Sequence, residues 1–326
     1  RSDFMELYVF DRNLNLIGIV DTFNSLQWNR RYLKMGDFEL QCPLTSDNLN
    51  LLQKGNLIYK KDDIEAAYIE YRDLKQDVDG KEILDVKGNF LTGYLKRRIL
   101  WSTVTISDTV ENIMRSLVNQ NAISPTDAKR IIPNLALADS KGLTFTADYS
   151  SISKQDSNPN LGDELENLSA LANLGHRILF DITNKKLLFE VYAGIDRSVS
   201  QTDRSPCIFS KEFENVLEQE YTESLDNYKN VCLVTGSYTP DENSDAMDVS
   251  ATVGDSEGLD RYETALDSNS SSEIDNGDNT KTYLSQADFL NVLANDGNTE
   301  LAQYVETSSF ESTINSNSNL QYKKDF

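Results

Sequence analysis

Short runs in which apolar and polar residues alternate fill the first hundred positions. Leu7–Phe10 and Leu16–Val20 read as two strands joined by a turn at Asp11, Arg12 and Asn13, with Asn13 suited to a positive φ. Leu26, Trp28, Arg30 and Tyr32 alternate with Gln27, Asn29 and Arg31, and Phe38, Leu40 and Cys42 alternate with Glu39 and Gln41. A period of two turns one side of each strand inward. Residues 46–52 carry a cap residue and a Leu49/Leu52 pair before Gly55, which predicts one short helix. Residues 66–74 and 82–86 read as two further strands around a turn at 77–80. Many short strands with one helical plug predict a small β-barrel over 1–101.

The pattern changes over 102–204. Asp108 with Glu111 three residues on reads as a helix cap, and Val110, Ile113, Met114, Leu117 and Val118 share one helical face. A polar stretch with Pro125, Pro133 and 150–160 leads to a second helix from Leu161, with Leu165, Leu168 and Leu171 inward and Gly175 as its stop. A hairpin follows, 177–182 and Lys186–Tyr192, turning at Thr183, Asn184 and Lys185. Strand patterns return at 231–234, 248–253 and 261–267. A polar linker, 268–280, then precedes a helix from Ser285 that carries Phe289, Leu290, Val292 and Leu293 and runs on past 295–298 toward Leu301 and Tyr304. A last strand is expected at 305–314. Nothing after it closes the sheet, so the chain is expected to continue, or a neighbouring subunit to cover the edge. The expected fold is α+β, with two small β-barrel domains bracketing an α/β domain, at 1–101, 102–204 and 205–326.

Charge sharpens this division. Residues 1–101 carry net −1, 102–204 carry −3, and 205–326 carry −18 of the chain's −22. The seam falls in 221–236, where a charged, turn-rich approach meets an apolar strand. An acidic chain opposes tight binding to a nucleic-acid backbone, which needs clustered Lys and Arg. No apolar run approaches the roughly 20 residues that cross a bilayer, so no membrane insertion is expected. Cys42, Cys207 and Cys232 lie far apart without a C-x-x-C pair and read as small buried hydrophobes made in a reducing compartment. Arg1, Ser2, Asp3 and Phe4 precede Met5 and read as a processing or vector remnant, not a signal peptide.

Several motifs look chemical and fail on context. Gly254-Asp255-Ser256-Glu257-Gly258 matches the nucleophile elbow G-x-S-x-G, yet a strand pattern follows it and the sole histidine, His176, lies upstream, against the order that elbow requires. Ser151 with Lys154, and Ser46-Asp47-Asn48, match two penicillin-binding motifs in the wrong order without the third. His176 reads as a partly exposed helix-end residue. The acidic loops from Asp241 and from Asp267 put Ala246 and Ser272 where a calcium loop needs glycine, and Thr252 and Asp278 where it needs glutamate. No cofactor, metal or catalytic residue is expected.

Four separated segments, in order, carry a family resemblance: 5–21 (MELYVFDRNLNLIGIVD), 28–43 (WNRRYLKMGDFELQCP), 88–101 (GNFLTGYLKRRILW) and 221–236 (YTESLDNYKNVCLVTG). The chain resembles siphophage and prophage tail proteins that are similar to the baseplate hub of contractile tails and the trunk of type VI secretion spikes. That resemblance implies two barrels around an α/β domain, a trimeric ring at the distal end of the tail tube, distal-tail and tail-tube proteins as partners, a place in the virion tail, and no catalysis. It marks Gly93, Tyr94, Arg97, Arg98, Trp101, Tyr228, Lys229 and Asn230 as interface or family-motif residues. Arg97 and Arg98 are candidates for ion pairs between subunits or for a solvated helix face, and Tyr228 to Asn230 for a cap on the second barrel or a plain turn. A carbohydrate- or receptor-binding adhesin, or the non-catalytic part of a cell-wall hydrolase, is the alternative. An acidic face on 205–326 lining the ring would repel passing DNA; otherwise the charge serves solubility.

Overall fold

The computed structural model describes residues 5–76, 80–151, 158–210, 212–214, 216–276 and 280–314. It divides into two compact units, Arg1–Ala193 and Gly194–Phe326.

The first unit opens with β1 (Leu7–Phe10) and β2 (Leu16–Val20), followed by β3 (Ser25–Asn29), β4 (Asp37–Pro43), β5 (Leu57–Lys60), β6 (Ala66–Gln76) and β7 (Glu82–Phe90). They form one antiparallel sheet in the order β2-β1-β5-β6-β7-β4-β3. β2 and β3 are therefore its edges, although only 21–24 separate them in sequence. Five residue steps reach at most roughly 18 Å, whereas seven flat strands would be roughly 29 Å wide, so the sheet must curl on itself. One interior cluster draws on the whole curl: Leu7 and Val9, Val20, Phe38 and Leu40, Ile58, Ile69, and Val86, with Leu26 and Trp28 of β3 half-buried against it. The expected first barrel is thus a curled sheet whose ladder does not close among the described residues.

Local details depart from expectation in instructive ways. The positive φ in the first hairpin falls on Leu14 (φ 62), not Asn13, because Asp11 Oδ1 already accepts the amides of Asn13 and Asn15. The short helix α1 (Ser46–Leu51) is capped by Thr45, whose hydroxyl accepts the Asn48 amide. Turn residues 77–79 lie outside the described residues.

After β7 the chain enters a 3-10 turn, Leu91–Arg97, then β8 (Val104–Thr109) and α2 (Val110–Val118). α2 is capped by Thr109 rather than Asp108, and Glu111 turns away from a capping box to accept the amides of Lys141 (2.6 Å) and Leu143 (2.8 Å). Its predicted apolar face is wholly buried. β9 (Leu135–Leu137) and β10 (Thr146–Ser151) follow; β10 pairs with β8, so Ser151 ends a strand instead of lying in a loop, while Lys154 lies outside the described residues. α3 (Leu161–Ala172) stops at Asn173 in the left-handed conformation, φ 50, which frees Gly175 to open β11 (Gly175–Asp181). β11 pairs with β12 (Lys186–Tyr192) through a turn at Lys185, φ 52, and β12 takes β9 in parallel on its other side.

A second, larger core joins these layers to the back of the curled sheet. It contains Phe10, Leu57, Ala66 and Tyr68 from the sheet together with Leu117, Leu165 and Phe189, and so runs across position 101. β5 and β6 consequently bury both faces: Leu57 and Tyr68 look into this core, Ile58 and Ile69 into the curl.

Among the described residues the second unit holds three small sheets: β13 (Val216–Ser224) with β19 (Thr307–Ile314); β14 (Val231–Tyr238) between β15 (Met247–Val253) and β16 (Glu263–Asp267); and β17 (Glu273–Asp275) with β18 (Lys281–Tyr283). α4 (Gln286–Leu301), capped by Ser285, lays Phe289 and Leu293 over Cys232, Val234 and Tyr238. The expected polar linker therefore contains β17, and the approach to the seam is itself β13. As in the first unit, no sheet closes into a barrel among the described residues. Among the described residues no helix is long and apolar enough to cross a membrane.

Gly88 sits where β7 passes β6, and a Cβ there would lie 1.9 Å from the Tyr68 carbonyl oxygen. Gly88→Ala is expected to lose about 1–3 kcal/mol of stability, read from the urea midpoint; an unchanged midpoint would contradict this packing.

Candidate functional site

The 3-10 turn Leu91–Arg97 exposes its last residues to the surface while Leu91, Gly93 and Leu95 are buried. Gly93 is required by crowding, since a Cβ would lie 2.5 Å from the Tyr68 hydroxyl. That clearance lets Tyr68 and Tyr94 stack at 4.6 Å, and the Arg97 guanidinium lies 4.4 Å above Tyr68 and 4.8 Å above Tyr94. Such a cation over two ring faces is attracted by their quadrupoles. Arg97 also meets Glu70 at 3.2 Å, and Glu70 accepts from Asn89 at 2.7 Å. Glu70 is the extra residue at the register shift in β6, which aims it at Arg97. Burial pushes the Tyr94 phenol up to about 12.

These residues form one wall of a cavity of about 470 Å³. Arg12, Lys54, Arg97 and Arg98 line it with Glu70. Its apolar lining comes from Leu14, Leu57, Ile69, Ile132 and Leu187, all buried. Arg12 comes from the first hairpin turn and donates to the Lys54 carbonyl at 3.3 Å. Gly55, at φ 89, accepts its close approach: a Cβ would fall 2.2 Å from that guanidinium. Arg98 donates to the carbonyls of Arg130 (2.7 Å) and Arg97 (3.0 Å). Burial and the adjacent Arg97 charge push its guanidinium below the usual value. Among the described residues Arg97 has a carboxylate partner, whereas Arg12, Lys54 and Arg98 have none. Trp101 lies outside the cavity, with Arg130 stacked 4.2 Å over its ring.

The second-unit candidates gather at the start of β14. Asn230 donates from Nδ2 to the Asp260 carbonyl (2.7 Å) and accepts the Tyr262 amide on Oδ1 (2.9 Å). Tyr228 packs edge-on against Tyr262 at 5.3 Å, and the Lys229 amide donates to the Tyr304 carbonyl. Asn230 thus fastens the loop before β16 to the start of β14.

The motif residues do not assemble into catalytic sites. His176 is buried, not partly exposed as expected, and its Nδ1 lies 2.7 Å from Ser169 Oγ. Ser256 lies in a loop whose carbonyl accepts from Arg261. Asp241 closes an Asx turn on the Asn243 amide (2.9 Å), and Asp278 lies outside the described residues. Among the described residues no cluster of three or more His, Cys, Asp or Glu is arranged to hold a metal ion. Arg12, Lys54 and Glu70 escaped sequence reasoning because only tertiary packing brings them to Arg97; no local spacing signals that meeting.

The family described as "Siphovirus ReqiPepy6 Gp37-like protein" matches residues 6–326. Among solved structures, the 43 kDa tail protein of prophage MuSo2 from Shewanella oneidensis is 12% identical, with 95% of this chain and 82% of that one covered at a TM-score of 0.49. The prophage tail protein gp18 from Listeria monocytogenes EGD-e is 14% identical over 80% and 71%, at 0.44. The tail protein from Neisseria meningitidis MC58 is 11% identical over 82% and 72%, at 0.46. Likenesses of this depth assign no residue roles. No curated protein matches.

Burial and the Lys96 charge hold the His176 imidazole at about 4, against 6.5 when unperturbed. The unfolded chain therefore binds a proton that the native state refuses, and stability falls as pH drops from 6.5 toward 4, by roughly 3 kcal/mol in all. His176→Gln should flatten that part of the stability-versus-pH curve between pH 6.5 and 5. An unaltered slope would contradict the assignment.

Proposed function

Because the chain belongs to the Siphovirus ReqiPepy6 Gp37-like family of siphovirus tail proteins, we propose that it is a structural protein of the tail tip, a baseplate-hub-like subunit that assembles as a trimeric ring at the distal end of the tail tube. The observation that carries this reading is the family match over 6–326, nearly the whole chain. The surface agrees with an assembling role. β2 is an edge strand with Leu16, Ile17 and Ile19 each more than two-fifths exposed, a feature that a lone subunit would blunt with charge or proline. The cationic cavity likewise leaves Arg12, Lys54 and Arg98 without a carboxylate partner among the described residues.

In this reading 1–101, 102–204 and 205–326 act as successive modules, and distal-tail and tail-tube proteins are the neighbours. A three-fold ring that offers two sheet modules per subunit would present six positions to a six-fold tube. The acidic 205–326, turned to the lumen, would repel DNA phosphates during passage. The work of such a protein is positional, and no chemistry is assigned to Ser256 or His176.

Light scattering over a concentration series tests the assembly. Three chain masses at the upper end are expected. A strict monomer at every concentration, or a purely even-numbered assembly, would contradict the ring.

A further inference from the structure

The cavity beside the 3-10 turn combines an apolar lining with four cations, of which Arg97 alone has a carboxylate partner among the described residues. Arg12, Lys54 and Arg98 have no carboxylate partner among the described residues, in a chain of net −22. Ion pairs are otherwise plentiful in this unit, from Arg30 with Glu65 to Arg177 with Glu190. Its size falls within the few hundred Å³ of typical ligand pockets, room for one or two side chains rather than a domain face. An occupant matched to it has an apolar tip and flanking carboxylates.

The second unit displays such a segment. Leu259 is 98% exposed at the loop between β15 and β16. Asp255, Glu257 and Asp260 surround it, all exposed and, among the described residues, without a cationic partner. The loop is held in shape. Gly254 and Gly258 take φ 88 and φ 60, Arg261 donates to the Ser256 carbonyl at 2.9 Å, and Asn230 holds the Asp260 carbonyl. A leucine so exposed on a fastened loop gains burial only from a partner surface, and a preformed loop loses little conformational freedom on docking.

We propose that the 254–260 loop of a second copy of this chain inserts Leu259 into the Arg12/Lys54/Arg98 cavity, with Asp255, Glu257 and Asp260 meeting the cations. Different patches on each copy then face one another, a head-to-tail contact that generates a ring when the rotation closes. The proposal rests on the ring reading above and names its contact residues.

A charge swap tests it. Arg12→Glu with Lys54→Glu reverses the cavity; Asp255→Lys with Glu257→Lys reverses the loop. All four side chains are exposed, and circular dichroism with thermal melts checks folding. Each reversed variant alone should associate at least about 10-fold more weakly than the unaltered chain, as charge pairs at interfaces do when one side is reversed. The chain carrying both reversals should recover association into the ring, whereas an equimolar mixture of the two single-surface variants should pair with one another but not close a three-membered ring, since three subunits cannot alternate two kinds. If the single-surface variants form the same assembly as the unaltered chain, the contact is refuted while the ring reading stands. If the unaltered chain is itself monomeric, the ring reading falls, and a fluorescent synthetic peptide of residues 253–260 judges the cavity separately. Saturable binding lost on reversal of Arg12 and Lys54 supports the contact; no binding to the unaltered protein overturns it.

Discussion

Two strands, Leu57–Lys60 and Ala66–Gln76, are held between two cores, and that double burial organises the first unit. One face closes the interior of the curled sheet and the other receives α2, α3 and the β11–β12 hairpin through Tyr68, Leu117, Leu165 and Phe189. A sheet buried on both faces cannot shift register by one residue without exchanging its two packing partners. The register shift at Glu70 is tolerated because its carboxylate turns out to Asn89 and Arg97 rather than into either core. The 3-10 turn follows directly, so its tyrosine stack and arginines inherit their positions from that strand pair.

This constraint also explains what the sequence conveyed. A strand such as Asp37–Pro43 alternates plainly and was readable as a strand, whereas its pairing with β3 and β7 was not. Ala66 to Ile69 are buried in succession, so periodicity says nothing about which face is which, and Leu57 and Ile58 are likewise buried side by side without alternation. The helices were legible through their apolar faces, but caps were displaced by a residue where two candidates adjoin, as with Asp108 and Thr109. His176 misled because a residue after a helix stop looks exposed; the stop is Asn173, and the histidine already belongs to a buried strand. Of the candidate site, Tyr94, Arg97 and Arg98 were signalled by their segment. Arg12 and Lys54 were not, since a hairpin turn and a helix end meet there only in three dimensions.

The two units differ in how they are held together. The first has a large shared core with buried and half-buried ion pairs. The second has one small core under α4 and a surface dominated by carboxylates. Mutual repulsion at net −18 over 205–326 works against compactness and favours contact with cations. A subunit with a cationic cavity on one unit and fastened acidic loops on the other suits a protein whose role is to occupy a fixed place among copies and neighbours.

The central claim, a ring-forming subunit at the tail tip, is tested most directly by cryo-electron microscopy of assembled tails carrying this chain with a small fused label. The account predicts three labels around the axis at the distal end of the tube. Labels repeated along the tube shaft, or none on the tail, would contradict it.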